Sequence, residues 1–222
     1  MDRKNWGLVR SRVCLVPTLR GWLVIFVSFV LIAILTLGGL HSFLAVNDPV
    51  QDGLLVIEGW APDYCLELAV DEVKRHHYPK VYVTGGPLEV GGHLSRYGTY
   101  AQLGAATLIQ LGLDSNVVQA VPAPRVRSDR TYTAAVALRK WLLEHNITPS
   151  RIQLLSEGPH ARRSRLLYEM AMGKEVVVGV TAIPSNEYDA HRWWRYSAGV
   201  RNVIGEGLAY LYARFLFFPP QQ

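Results

Sequence analysis

The sequence holds two cysteines, Cys14 and Cys65, in 222 residues. One precedes and one follows a long apolar stretch, so the two are expected in different compartments. An intramolecular disulfide and a thiolate metal site are then both excluded. Missing too are G-x-G-x-x-G, a Walker lysine, H-E-x-x-H and G-x-S-x-G, so the commonest dinucleotide, nucleotide, zinc and serine-hydrolase signatures give no lead. There is no internal repeat, no Ser/Pro/Gly tract and no run of five like charges, which leaves no reason to expect extended disorder. Net basic charge is scarce on the expected folded part. Of the formal +5, four lie in residues 1–20, where Arg3, Lys4, Arg10, Arg12 and Arg20 face only Asp2. A nucleic-acid surface needs its cations on the folded domain, so no nucleic-acid partner is expected.

What is present begins with Gly21–Leu40, GWLVIFVSFVLIAILTLGGL, which carries no charge. Twenty helical residues span about 30 Å, the thickness of a bilayer's hydrocarbon core. Trp22 suits the interface at one end. The flank before the stretch is basic, while the flank after it has Asp48 and Asp52 and no Lys or Arg before Lys74. This asymmetry predicts an N-terminus in the cytoplasm and a body outside the cytoplasmic membrane. A cleaved signal peptide would have a shorter apolar core, and His41-Ser42-Phe43-Leu44-Ala45 is a poor cleavage site. The expected organisation is a basic tail over 1–20, a membrane helix over 21–41, an α/β domain over 52–212 and a tail over 213–222.

Beyond the anchor, short apolar runs alternate with helical patterns. Strands are expected at 54–57, 80–84, 117–121, 152–156 and 176–183. Helices are expected to about His77, at 97–111, 131–145 and 160–172, and from about His191 to Phe217. The strands are continuously apolar, which predicts a mostly parallel five-stranded sheet covered on both faces, a Rossmann-like three-layer sandwich. Such folds bind ligands at the carboxyl ends of their strands. Attention therefore goes to the loops starting at Glu58-Gly59, Gly85, Val121 and Ser156.

Three of these loops carry chemistry. Thr84-Gly85-Gly86 lets the backbone turn and bring amides close to a ligand. Arg125-Val126-Arg127-Ser128-Asp129-Arg130-Thr131 sets three arginines at a helix start, where Ser128, Asp129 or Thr131 could cap and an anion is favoured. In Glu157-Gly158-Pro159-His160-Ala161-Arg162-Arg163, residues His160 and Arg163 share a helical face, while Arg162 and Arg165 point elsewhere. His160 is the candidate general acid or base and Arg163 a candidate stabiliser of negative charge. The candidate ligand contacts are Glu58, Gly59, Gly85, Gly86, Arg127, Ser128, Asp129, Arg130, Thr131 and Ser156. His76-His77 diverge on a helix and make poor metal geometry.

The order of these features resembles the YdcF/SanA/ElyC family over residues 52–212. The match runs from Thr84-Gly85-Gly86 through Gly112-Leu113 and the Ser/Asp/Arg/Thr loop to Ser156, His160 and Arg163, then tryptophans and Glu206 in a late helix. The resemblance sets Ser156, His160 and Arg163 on the family's Ser…His-x-x-Arg signature, Gly85-Gly86 on its glycine loop and Thr131 on its helix-opening threonine. It departs at Ser95-Arg96-Tyr97-Gly98-Thr99, where an acid is usual, and at Thr131-Tyr132-Thr133-Ala134, which lacks the usual Asn. It implies a Rossmann-like fold, a pocket at the strand ends and a role in cell-envelope polymer synthesis. The leading expectation is a domain that binds or processes a phosphorylated precursor such as a polyprenyl-phosphate-linked sugar, by transfer or hydrolysis if it is catalytic. Two alternatives accompany it. One is an S-adenosylmethionine or nucleotide-like ligand, which a family member of similar fold implies but an extracytoplasmic body disfavours. The other is a non-catalytic regulator of an envelope synthase, partnered with envelope-synthesis proteins. No cofactor is identified.

Overall fold

The computed structural model describes residues 15–219 except His77. Cys14, the basic residues Arg3, Lys4, Arg10 and Arg12, and residues 220–222 lie outside it. The chain divides into an N-terminal unit up to Gly38 and a body from Gly39 onward.

The N-terminal unit is one helical rod. Helix α1 covers Leu19–Leu44 and is long and apolar enough to cross a membrane. Its apolar side chains from Leu19 to Leu37 are largely exposed, so no protein core accounts for their composition. The helix is longer than the expected 21–41, and its last residues belong to the body, where Leu44 is fully buried.

The body is a five-stranded, all-parallel sheet with strands β1 Leu54–Glu58, β2 Val81–Gly85, β3 Val118–Pro122, β4 Arg151–Glu157 and β5 Val177–Ile183. Their order is β3-β2-β1-β4-β5. Helices α2 Asp63–His76, α3 Tyr100–Gln110, α4 Arg130–Glu144 and α5 Ala161–Met172 alternate with the strands, and α6 Ser197–Phe215 ends the chain. Alternate residues of each strand point to opposite faces. Leu55, Ile57, Val81 and Val83 accordingly pack beneath α2 and α3. Val56, Tyr82, Ile152, Leu154, Val178 and Val180 pack beneath α4 and α5. Both faces are buried, which is why the strands read as unbroken apolar runs.

The chain runs outward in one direction from β1 to β3, then returns across the sheet to β4. Strand order therefore reverses between β1 and β4, and the crevice at their carboxyl ends is where doubly wound folds hold ligands. Glu58 ends β1, and Ser156-Glu157 end β4 beside it.

Two expected boundaries move. Helix α3 starts at Tyr100 rather than 97, because Thr99 and Gln102 form a reciprocal capping box that fixes the first turn there. The single helix expected over 191–217 is two pieces, a 3-10 turn at Ala190–Arg195 and then α6. Arg192 leaves helical geometry, and the chain kinks at Tyr196. Gly199 permits the kink, since a Cβ there would lie 2.4 Å from the Trp193 carbonyl oxygen. Trp193 is buried by this fold-back while Trp194 remains half exposed.

Candidate functional site

A cleft of about 520 Å³ opens at the carboxyl end of the sheet. Its floor comes from the ends of β1 and β2, one wall from the β3–α4 loop, and the other from α5 and α6.

At the floor lies Glu58, a carboxylate only 2 % exposed. A buried charge needs partners, and here it has several. Ser156 Oγ donates to Oε2 at 2.6 Å, and Ser164 Oγ donates to Oε1 at 2.8 Å. His160 Nε2 stands 3.4 Å from Oε1, at ion-pair distance but without hydrogen-bond alignment. Burial pushes the Glu58 pKa upward, yet the charge on His160 and the two hydroxyls outweigh it and hold the carboxyl below its ordinary range.

His160 has a second carboxylate on its other side. Its Nδ1 lies 3.0 Å from Glu206 Oε1, and Glu206 also receives a two-pronged bond from Arg163, Nε to Oε2 at 2.8 Å and a terminal nitrogen to Oε1 at 3.0 Å. Desolvation opposes charge on His160, but Glu58 and Glu206 together raise its pKa to about 9. The ring is therefore an imidazolium at neutral pH, and Nδ1 donates to Glu206. The 2.9 Å approach of the Arg163 terminal nitrogen to Nδ1 is then two donors converging on one carboxylate oxygen rather than a bond between them. Burial raises the Glu206 pKa, while bonds and charge from His160 and Arg163 drive it well below the carboxylate range. Glu58, His160, Glu206 and Arg163 thus form an alternating chain of two anions and two cations with no net charge. Trp60 closes one side, its ring edge-to-face with His160 at 4.7 Å between centroids.

Local structure explains the placement. A 3-10 turn at Gly158–His160 feeds α5 directly, so His160 at its N-cap position and Arg163 and Ser164 in its first turn face Glu58 and α6. Arg162 and Arg165 point away as expected. Arg162 packs over Phe43 and donates to its carbonyl, while Arg165 pairs with Asp48 and Glu169.

Across the cleft, Arg125, Arg127 and Arg130 line the rim together with Ser128, Asp129 and Thr131. Arg130 pairs with Glu89. Among the described residues, Arg125 and Arg127 have no ion-pair or hydrogen-bond partner. The expected side-chain cap of α4 is not made. Asp129 stands at the cap position with φ 56° and ψ 38°, and its carboxylate bonds to no helix amide. An N-cap side chain reaches those amides from extended backbone, and the left-handed turn at Asp129 denies it that approach. Asp129 therefore supplies no side-chain cap to α4, whose first turn starts beside the cleft.

No family model matches the sequence, and no curated protein matches it.

The expected site residues divide three ways. Glu58, Gly85, Gly86, Arg127, Ser128, Asp129, Arg130, Thr131, His160 and Arg163 all line the cleft. Ser156 does not. It is 1 % exposed and its hydroxyl is spent on Glu58, so it supports the floor from beneath. Gly59 does not line it either, because it packs against α3. A Cβ on Gly59 would lie 2.4 Å from the Tyr100 carbonyl oxygen, and one on Gly104 would lie 2.8 Å from the Gly59 Cα. Sequence reasoning left Glu206, Trp60, Ser164 and Arg125 out of the site. Glu206 entered only as part of the resemblance, and the physical signal for it was the His160/Arg163 pair. Two cations on one buried helical face require an anion opposite, and Glu206 is the acid in the following long helix.

Proposed function

We propose that this chain is a membrane-anchored, YdcF-like domain of the cell envelope, with its body outside the cytoplasmic membrane and its cleft binding a phosphorylated or otherwise anionic precursor. The observation that carries the reading is the pair of guanidinium groups, Arg125 and Arg127, that have no partner among the described residues and stand at the rim of a cleft whose floor is already charge-balanced. Guanidinium forks match phosphate and carboxylate oxygens. The start of α4 adds the positive end of its helix dipole on the same side. The opposite wall includes Leu167, Ala209 and Ala213, so the cleft has a polar and an apolar side, as a lipid-linked anion requires. The apolar length of α1 and the basic residues before it support the anchor and its orientation.

Within this reading the floor has a restricted repertoire. His160, held as an imidazolium, can donate a hydrogen bond or act as a general acid, and it is a poor general base near neutral pH. Arg163 is already tied to Glu206, so it orders the floor, and the rim arginines take the ligand's charge.

The test is binding of polyprenyl phosphate to the full chain in nanodiscs, followed by thermophoresis, with wild type, Arg127→Ala and Arg125→Ala. Arg127 is exposed and substitution leaves the core untouched. Loss of one charge-assisted contact of about 1.5–3 kcal/mol predicts roughly 10- to 100-fold weaker binding. Equal affinity in all three proteins rejects the anion cleft. A reporter fused after Gln222 that is active only in the cytosol rejects the orientation.

A further inference from the structure

The outward face of α6 changes character along its length. Arg201, Gly205, Leu208, Tyr212 and Phe215 follow one another at spacings of four and three, so they share one face of the helix, and all are exposed. The first half of that face is polar or bare. From Leu208 onward it is apolar, with Leu211 and Leu216 beside it, and Leu208, Phe215 and Leu216 are each about two-thirds exposed at 65 %, 66 % and 68 %. A soluble surface does not ordinarily leave so continuous an apolar patch open.

The end of the apolar helix α1 lies against the same part of α6. Leu40 and Leu44 belong to the body, and a Cβ at Gly207 would lie 3.7 Å from Leu40 and 3.9 Å from Leu44. Phe43 meets Tyr210 edge-to-face at 5.6 Å. The apolar face of α6 therefore begins one residue past Gly207, where Leu40 and Leu44 of the body pack. Arg162 stacks at 4.0 Å over the Phe43 ring, and exposed Arg214 sits within the apolar half, a long cationic side chain of the kind that can extend from apolar surface to headgroups.

From this continuity we infer that the C-terminal half of α6 beds in the surface of the bilayer that α1 crosses, with Leu208, Leu211, Phe215 and Leu216 among the acyl chains and Arg214 at the headgroups. The helix contributes Glu206, Ala209 and Ala213 to the cleft from its inner side, and Tyr212 from the edge where the inner and outer sides meet. Bedding its outer side in lipid holds the apolar wall of the cleft at headgroup level. The ligand is then lipid-borne and enters from the membrane plane, with its phosphate toward Arg125 and Arg127. The inference rests on the membrane-anchored reading above and fixes the source of the anion.

The test is spin labelling of the full chain in phosphatidylethanolamine/phosphatidylglycerol nanodiscs, in a Cys14→Ser, Cys65→Ala background. Single cysteines are placed at Leu211 and Phe215, with Glu67 on α2 as a water-exposed reference and Leu31 in α1 as a hydrocarbon reference. Accessibility to oxygen relative to a water-soluble nickel chelate is read at each site. The expected result is a ratio at Leu211 and Phe215 several-fold above that at Glu67 and approaching that at Leu31. A ratio at both α6 sites equal to that at Glu67, with Leu31 still lipid-like, overturns the α6 contact and leaves the anchor intact. Exclusion of both reagents from the α6 sites also overturns it, since a protein surface then covers the face. A water-like value at Leu31 overturns the anchor itself and the α6 contact with it.

Discussion

Replacing Glu206 by alanine removes the one carboxylate that touches both His160 and Arg163. Breaking a buried ion pair by deleting one partner costs about 3–5 kcal/mol, mostly because the remaining charge is left without compensation. The Glu206 and Arg163 side chains are 17 % and 20 % exposed, so water offsets part of that loss, and about 2–4 kcal/mol is expected. The pH dependence is a second and independent signature. His160 rises from 6.5 to about 9 on folding, so its contribution is fully present below pH 6.5 and is lost as pH climbs through about 9. That shift corresponds to about 3 kcal/mol. Glu206 and Glu58 are shifted the other way, so their contributions are present above pH 4.5 and are lost as pH falls through their lowered native values. The quartet is thus most stabilising between pH 4.5 and 6.5. In Glu206→Ala, His160 retains only Glu58, and the alkaline loss begins at lower pH. Urea unfolding of the full chain in detergent, repeated from pH 5 to pH 9.5, reads both effects. A cost below 1 kcal/mol at pH 6, together with an alkaline arm superimposable on wild type, would refute the charge-balanced floor.

Two further substitutions probe how the floor is supported and how the cleft is shaped. Ser164→Ala removes a donor to the buried Glu58 carboxylate and should cost about 1.5–3 kcal/mol in urea unfolding, with Ser164→Thr recovering part of it; no change would mean that Ser156 and His160 alone satisfy that charge. Gly104→Ala places a methyl 2.8 Å from the Gly59 Cα, which cannot move aside without shifting the end of β1, so a loss of about 1–3 kcal/mol and a lowered melting temperature are expected by calorimetry.

The fold was largely legible because its physics is repetitive. A parallel sheet buried on both faces demands strands such as Leu54-Leu55-Val56-Ile57 and Val177–Ile183 without alternation, and no other common layer arrangement alternates such runs with helices five times. Sequence does not state strand order. The reversal between β1 and β4 comes from helices crossing to the second face, and it is what brings Glu58 beside Ser156 and His160. The rim was readable because three arginines at a helix start are local. The floor was only half readable. His160 and Arg163 lie three apart, whereas Glu58 and Glu206 stand 148 positions from each other and meet at His160 through tertiary structure alone. The kink at Tyr196 was hidden for a similar reason: Trp193, Gly199 and Val203 read as one helical pattern until the close approach of Gly199 to the Trp193 carbonyl folds it in two.

The arrangement separates two tasks that the sequence motif runs together. Ser156, His160 and Arg163 look like a catalytic string, yet each spends hydrogen bonds or charge on a buried glutamate. An anion arriving at Arg163 would have to compete with Glu206, which already holds two of its nitrogens. An anion arriving at Arg125 or Arg127 displaces only water. Attraction is therefore concentrated on the β3–α4 loop, and the quartet gives that loop a fixed opposite wall. The proton of the quartet that lacks an aligned acceptor is on His160 Nε2, which is buried facing Glu58. General-acid catalysis by His160 would draw on that proton once the ring is exposed to the ligand. The alkaline limb of the rate should then follow the His160 titration near pH 9, while binding through Arg127 persists beyond it.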